Sequence, residues 1–302
     1  MKVKSVEIAA PGNLRITEKE VDFGVSPALF LECSAISPLD QQISQGYFPL
    51  ADKWPLVPGT SGVATDSKGS RYFVFAEGAG GGFQIAGVHQ EAFSFPKEYI
   101  SPIPDGISSE TVAITMISFL SVFSIFSDIK NGRNAVKVLV LGANGSIGEA
   151  ALLVAEHLGL QATGVTREGT KVLGRETLTY NDLSATSGES GFNLIIDTLG
   201  GPFTKLAARF AEPGCKCVVV GLGGGISIEI DGAELLGSGY RVEGFNLLRV
   251  PFSEISQSVR KTFDLLKNSN YEPRFEKKIA LDSGVEAYAL AMNSRLRVLL
   301  TR

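Results

Sequence analysis

The stretch VLVLGANGSIGEAALLVAEHLG, from Val138 to Gly159, most constrains what this chain can fold into. Three glycines, Gly142, Gly145 and Gly148, follow the spacing G-x-x-G-x-x-G. An apolar run from Val136 to Leu141, broken by one lysine, precedes them and reads as a strand. In the segment that follows, Ile147, Ala150, Ala151, Val154, Ala155 and Leu158 fall on one stripe at helical spacing. Gly159 stops the helix, and LQATGVT supplies a second strand at once. Strand, turn, helix and strand in that order make a unit whose two strands lie parallel, because the helix carries the chain back to the starting edge. Glycine permits the tight turn and lets a ligand approach the backbone closely. The unpaired N–H groups at the helix start attract anionic oxygens. Asn144 and Ser146 add polar side chains at that mouth, so the loop has the chemistry of a dinucleotide pyrophosphate cradle, with Gly145, Ile147 and Gly148 beside them.

The rest of the chain agrees. After Asp105, apolar runs alternate with helical patterns: KVLVLG, LQATGVT, FNLIID, CKCVVVGLG and YRVEGFNL. Strands that are apolar throughout belong to a parallel sheet covered on both faces, which gives an α/β class with a doubly wound sheet. Residues 1 to about 105 instead read as short strands punctuated by Pro and Gly, the texture of an irregular β-rich domain. From about Phe263 a helix and a final strand, RVLLTR, follow, and that strand suits a return to the first domain. The expected division is 1–108 with 264–302 for the β-rich domain and 109–263 for the sheet domain. A chain of 302 residues is long enough for two such cores.

The end of the second strand bears on which dinucleotide is taken. An acidic residue there would bind the ribose 2′-hydroxyl of NAD. This chain has GVTRE, so Thr166 and Arg167 occupy the position. Arginine favours a 2′-phosphate and hence NADPH/NADP, with Lys171 near enough to assist. Glu168 is the discordant residue, since an inward carboxylate would permit NAD.

Other chemistries are poorly supplied. The net charge of -4 and the lack of any basic run leave no electrostatic footprint for nucleic acid. The most hydrophobic stretch, Thr111 to Phe126, is short for a membrane span of about 20 residues and carries serines and threonines, which suits a buried helix. Nothing at the start resembles a signal peptide. The three cysteines, Cys33, Cys215 and Cys217, are too few and too scattered for a disulfide framework, which points to a reducing, cytoplasmic setting. With only two histidines, His89 and His157, both expected to be structural, a zinc site is not expected.

A family resemblance runs nearly end to end. AISPLDQQISQGYFPLADKWPLVPGTSGVA, GGFQIAGV, FPKEYISPIPDGIS, VLVLGANGSIG, FNLIIDTLGG, EPGCKCVVVGL and VEGFNLL resemble, in order, landmarks of the zinc-independent quinone oxidoreductase branch of the medium-chain dehydrogenases/reductases, within the zinc-type alcohol dehydrogenase-like superfamily. The resemblance implies a GroES-like β domain joined to a Rossmann domain, with NADPH and a small-molecule substrate in the cleft between them. It implies that Gly145, Ser146, Ile147 and Gly148 meet the pyrophosphate, and that Thr166, Arg167 and Tyr180 surround the 2′-phosphate. It further implies that Leu199, Gly221, Leu222, Phe245 and Leu247 line the path to the nicotinamide, and that Arg297 stands where a C-terminal lysine usually approaches the phosphates. Ser37, Tyr47 and Ser121 are the candidates lining the reaction site. The zinc-ligand positions of the superfamily fall at Ser37, Thr60 and Ile117, which together cannot hold the metal. A homodimer built on the edge of the Rossmann sheet is also implied, with EGFNLL a candidate edge strand.

The departures matter. EGTKVLGRETLTY is shorter than the helix the family places after Arg167, leaving the register of Tyr180 open. The activity implied is NADPH-dependent hydride transfer to a quinone or a similar electron-poor carbonyl or enone. Enoyl-thioester reduction is the nearest alternative; it would use a tyrosine as proton donor, for which Tyr47 is offered although the spacing from Pro58-Gly59 puts Phe48 in that place. A zinc-free alcohol or aldehyde reductase and a non-catalytic NADPH-binding sensor are the other readings. Asp40 is expected to orient its turn.

Overall fold

The computed structural model describes residues 1–24, 27–49, 51–127, 136–185 and 191–302. Contacts divide the chain into two compact units, Met1–Ile117 with Leu266–Arg302, and Ser118–Leu265.

The second unit is built on six strands, in the spatial order Leu178–Thr179, Gln161–Thr166, Lys137–Leu141, Phe192–Asp197, Ala211–Val219 and Arg241–Gly244. Every adjacent pair is parallel. Numbered within the unit the order is 3-2-1-4-5-6, the Rossmann arrangement, whose reversal lies between the first and fourth strands. The unbroken apolar runs have their expected cause, since Val138, Leu139, Val140, Leu141, Ile195 and Ile196 are at most 1% exposed. The helix Ser146–His157 packs Ala150, Ala151, Leu152, Val154 and Ala155 inward. One member of the expected stripe is corrected. Leu158 is 46% exposed, because the helix ends at His157 and the next residue turns the chain outward as its cap.

Between the second and third strands no helix forms. Residues 167–177 cross over as an irregular loop, with a tight turn from Val172 to Arg175 in which Leu173 adopts φ 54°. EGTKVLGRET has two glycines and no helical apolar period, so nothing would hold a helix there. Thr179 then starts the short helix Tyr180–Ala185, its N–H and hydroxyl both donating to Asp182 at 2.8 Å.

The first unit carries a sheet in the order Phe275–Ala280, Arg297–Thr301, Leu29–Ala35, Gly62–Thr65, Arg71–Val74 and Ile100–Pro102, with Ala92–Phe93 also pairing to Leu29–Ala35. A separate hairpin joins Lys2–Ala10 to Asn13–Glu20. The C-terminal strand runs antiparallel to Leu29–Ala35 and parallel to Phe275–Ala280. Val6, Leu31, Ile36, Val74, Tyr288 and Leu300 lie at the heart of the core. The result is a GroES-like β-rich unit beside a Rossmann-type unit in sequence, as the class of the chain required.

The division between units falls within the helix Ser109–Ser127, which Ser108 starts by accepting the Thr111 N–H at 3.1 Å. Among the described residues this is the one helix long and apolar enough to cross a membrane, and most of it is buried inside the protein.

Candidate functional site

The glycine cradle follows the first strand of the second unit. Gly142 has φ 69°, and a Cβ there would lie 2.2 Å from the Thr198 hydroxyl. That hydroxyl donates to the Leu141 carbonyl at 2.8 Å, which ties the ends of the first and fourth strands together. At Gly148 a Cβ would meet the Gly142 carbonyl oxygen at 2.4 Å, so the helix can approach the loop only without a side chain. Gly145 is the N-cap residue, and no side chain caps the helix. The N–H groups of Ser146, Ile147 and Gly148 thus have no intrahelical acceptor and form a donor set with the positive end of the helix dipole behind it. Asn144 and Gly145 are exposed and Ser146 and Ile147 half-buried.

The other cofactor residues read from the sequence gather at the same edge of the sheet. Thr166 ends the second strand and Arg167 follows it, while Leu199 follows the fourth, Gly221 and Leu222 the fifth, and Phe245 and Leu247 the sixth. All are at the carboxyl ends of parallel strands, where open α/β sheets bind their ligands. Arg297 is not among them. It lies in the first unit on the strand Arg297–Thr301, half-buried, and its guanidinium has no hydrogen-bond or ion-pair partner among the described residues. Burial lowers its pKa, and Asp40 partly offsets this.

Details at this edge revise two roles. Thr166 is 1% exposed and its hydroxyl meets that of Thr177 at 2.9 Å. Thr177 already gives its proton to the Thr170 carbonyl at 2.8 Å, so Thr166 must donate to Thr177. It braces the crossover loop and has no proton left for a phosphate. Lys171 is held by Glu176 at 2.6 Å, while Arg167 and Glu168 are both exposed. Tyr180 stacks on Phe203 with ring centroids 4.8 Å apart. Its phenol is pushed up by burial and pulled back by a hydrogen bond from the Gly142 backbone, so it reaches the cradle itself.

Sequence reasoning missed Asp197. It is fully buried at the end of the fourth strand, where one oxygen accepts from Leu199 N at 2.8 Å and Gly200 N at 2.9 Å. The other accepts from the Thr204 hydroxyl at 2.6 Å. This carboxyl shapes the turn that carries Leu199. The loop after the fifth strand closes on it, with Gly224 N donating to the Leu199 carbonyl at 2.7 Å. A Cβ at Gly221 would lie 2.3 Å from the Thr198 carbonyl. The signal was an aspartate ending an apolar strand, followed by Thr-Leu-Gly-Gly.

In the first unit, Ser37 caps the helix Pro38–Ser44 through a reciprocal box with Asp40. The Ser37 hydroxyl donates to Asp40 Oδ2 at 2.6 Å and accepts from the Asp40 N–H at 3.0 Å. Asp40 Oδ1 accepts from Thr60 N at 3.0 Å. Asp40 is therefore a buried structural tie between two turns, and Ser37 has committed its proton to it. Tyr47 is 77% exposed, while Phe48 packs edge-on against Phe83 with centroids 5.3 Å apart. Spacing from Pro58-Gly59 had favoured Phe48 for the inward place; Tyr47 is corrected to a solvent-facing residue. Ser121 is buried within its helix.

His89 is fully buried between Tyr288 and Ser34, each 2.9 Å from a ring nitrogen. Ser34 donates to the Ser61 carbonyl at 2.6 Å, so it accepts from Nε2–H and Nδ1 accepts from Tyr288. Burial lowers this imidazole's pKa, which keeps it neutral in a structural relay. His157 sits on the exposed side of its helix and meets the Phe123 ring edge-on. Among the described residues no three His, Cys, Asp or Glu side chains converge on a metal position. All three cysteines are free and buried.

Solved structures match this architecture over the whole chain. An alcohol dehydrogenase superfamily protein from Novosphingobium aromaticivorans superposes with a TM-score of 0.83 at 17% identity, covering 100% of both chains. The likeness is one of fold, a GroES-like β-rich unit with a Rossmann-type parallel-sheet unit. A second match of the same fold, an oxidoreductase from Salmonella enterica in complex with NADP, has a TM-score of 0.76 at 18% identity, again over 100% of both chains. A mycobacterial protein complexed with NADPH has a TM-score of 0.80 at 17% identity over 99% of this chain and 100% of that one. Among curated proteins, the zinc-type alcohol dehydrogenase-like protein of Schizosaccharomyces pombe is 23% identical over 97% of this chain and 89% of its own length. Rat quinone oxidoreductase is 24% identical over 74% of this chain and 71% of its own length. The chain also matches much larger proteins, spanning 3% of a Mycobacterium tuberculosis mycoketide-CoA synthase at 27% identity and 11% of a Streptomyces orinoci polyketide synthase protein at 24%. No family model matches.

Proposed function

We propose that the chain is an NADPH-dependent oxidoreductase that transfers hydride to a quinone or a similar electron-poor carbonyl or enone without catalytic zinc. The observation that carries this reading is the uncapped helix start behind a cradle that a Cβ at Gly142 or Gly148 would fill, at the carboxyl edge of a 3-2-1-4-5-6 parallel sheet. Those residues fit a dinucleotide. The N–H groups of Ser146, Ile147 and Gly148 would hold the pyrophosphate, with Asn144 and Gly145 beside them. Arg167, exposed and without an ion-pair partner among the described residues, would take the 2′-phosphate, while Lys171 is engaged with Glu176. Leu199, Gly221, Leu222, Phe245 and Leu247 would exclude water around the nicotinamide. When bound, NADPH supplies the hydride; the protein supplies orientation and electrostatics. The names of the relatives and the NADP and NADPH complexes among the structural matches support the same class.

The absence of a catalytic metal in this reading rests on Ser37, Thr60 and Ile117, whose donor set is chemically unsuited to zinc. An enoyl-thioester reductase that uses Tyr47 as its acid is disfavoured, because that phenol faces solvent. A cytoplasmic homodimer completes the reading: Arg241–Gly244 is an edge strand, and Ile226 and Leu236 nearby in sequence are 86% and 88% exposed. Calorimetry with NADPH and NADH tests the cofactor assignment. Arg167→Ala should weaken NADPH about ten-fold or more, the loss of one charge-assisted hydrogen bond, and leave NADH nearly unchanged. Equal losses for both would refute it. Turnover of 1,4-benzoquinone, an aldehyde and crotonyl-CoA then separates the acceptor classes.

A further inference from the structure

The first unit holds a cavity of about 730 Å³ that none of the cofactor or reaction-site candidates lines. Its size suits a small organic ligand. Part of the lining is one face of the hairpin formed by Lys2–Ala10 and Asn13–Glu20. Alternate residues of a strand share a face, so Val3, Ser5 and Glu7 turn to the cavity while Val6 and Ile8 turn into the core. Across the hairpin Lys19 stands opposite Val3, Thr17 opposite Ser5 and Arg15 opposite Glu7. That face is therefore polar although it is covered. The Ser5 and Thr17 hydroxyls lie 3.1 Å apart. Glu7 is only 1% exposed and accepts from Arg15 Nε at 2.9 Å and from the Lys19 ammonium.

The remaining walls are largely apolar. Leu56, Val57, Phe93 and Phe95 line them, the two rings meeting edge-on with centroids 5.8 Å apart, and Ile85 is left 49% exposed. The charges of the lining are Glu7 and Asp22 against Lys19 and Lys53. Arg15 lies outside the lining and gives both Nε and Nη2 to Glu7 Oε1, so the buried carboxylate is neutralised from behind and one positive charge is left over. Asp22 is exposed and holds its own turn, accepting from Gly24 N at 2.9 Å. Lys53 is exposed and has no ion-pair partner among the described residues. Lys19 spends one of its three donors on Glu7, and its side chain is 56% exposed. We propose that this cavity binds an apolar monocarboxylate, with an aryl or alkyl body against Leu56, Ile85, Phe93 and Phe95 and the carboxylate head on the Lys19 ammonium.

Glu7 positions Lys19 in this arrangement, and the surplus of one charge matches a single carboxylate. An alcohol of the same shape leaves that charge unanswered, and an amine meets it with like charge. The site is built from the first unit alone and takes no part of the cofactor cradle. Loss of the NADPH reading leaves it standing, and its own loss leaves that reading untouched.

Trp54, the one tryptophan, stands between Lys53 and Pro55, which both line the cavity, so its emission reports occupancy. The test titrates the full chain with 4-phenylbutyrate, 4-phenylbutanol and 4-phenylbutylamine, which share a body and differ in the head. The acid should change the emission saturably with a Kd of about 1 mM or tighter and bind about ten-fold more tightly than the alcohol, with the amine weakest. Lys19→Gln should weaken the acid about ten-fold and leave the alcohol unchanged, since Arg15 still neutralises Glu7 and the replaced side chain is more than half exposed. Ile85→Ala should weaken acid and alcohol alike, by about three-fold. No saturable change with the acid up to about 10 mM overturns the proposal. So does an alcohol or amine that binds as tightly as the acid, a Lys19→Gln chain indistinguishable from wild type, or an Ile85→Ala chain that binds both ligands unchanged.

Discussion

Replacing Asp197 by alanine should cost the second unit more than any single truncation of an exposed residue. Its carboxyl is fully buried and accepts three hydrogen bonds, from Leu199 N, Gly200 N and the Thr204 hydroxyl. Leu199 N is part-buried and can turn to water; the donors at Gly200 and Thr204 are buried and would be left without an acceptor. An unsatisfied buried donor costs about 1–3 kcal/mol, so the two together amount to about 4 kcal/mol. Asn would keep one oxygen on the two backbone donors and let its amide meet Thr204, reducing the loss to about 1–2 kcal/mol. The protein has one tryptophan, Trp54, and it lies in the first unit. Its fluorescence therefore reports the other half, and the second unit is followed by far-ultraviolet circular dichroism in a urea titration. Coincident losses in both signals would be treated as one transition; separate ones give each unit its own midpoint. Because the turn also carries Leu199 against the loop at Gly224, NADPH affinity should fall together with stability. A loss below about 1 kcal/mol for alanine, or asparagine as damaging as alanine, would show that the carboxyl is not what holds the turn.

Gly148→Ala should lose about 1–3 kcal/mol and most of the NADPH-induced thermal shift, since its methyl group would stand 2.4 Å from the Gly142 carbonyl oxygen; an unchanged shift with NADPH would refute the cradle geometry. Ser37→Ala should destabilise the first unit by about 1 kcal/mol through loss of its capping box, read from the Trp54 transition. Glu77, buried in the short 3-10 turn Ala76–Ala79, makes stability depend on pH with a definite sign. Its folded pKa of about 8 exceeds the ordinary 4.5, so the folded chain keeps a proton that the unfolded chain releases, and wild-type stability falls relative to Glu77→Gln as pH rises from about 4.5 to about 8, then levels off. A difference that shrinks over that range in urea titrations would contradict a neutral buried acid.

Much of the second unit was legible because its signals are local. The strand, the three glycines and the helix lie within one run of sequence, and the apolar runs show strands covered on both faces. The clustering of Thr166, Leu199, Gly221 and Phe245 followed from topology alone, since each ends a parallel strand. What escaped depended on side-chain partners distant in sequence. Thr166 looks like a phosphate ligand until Thr177 and Thr170 are seen to take up the hydroxyl chain. Lys171 looks free until Glu176 meets it. Tyr47 and Phe48 are neighbours that face opposite ways, and only the packing of Phe83 decides which goes inward. Asp197 and Glu77 were passed over because a lone acidic residue carries no spacing signature; burial alone makes them conspicuous.

The strand Arg297–Thr301 is hydrogen-bonded on both sides, between Phe275–Ala280 and Leu29–Ala35. During synthesis on the ribosome, every residue of the Rossmann unit has therefore emerged before the interior of the β-rich unit can be completed. The inserted half is free to fold while its host still waits for a missing middle strand, and the order in which the two halves mature is written into the connectivity of a single sheet.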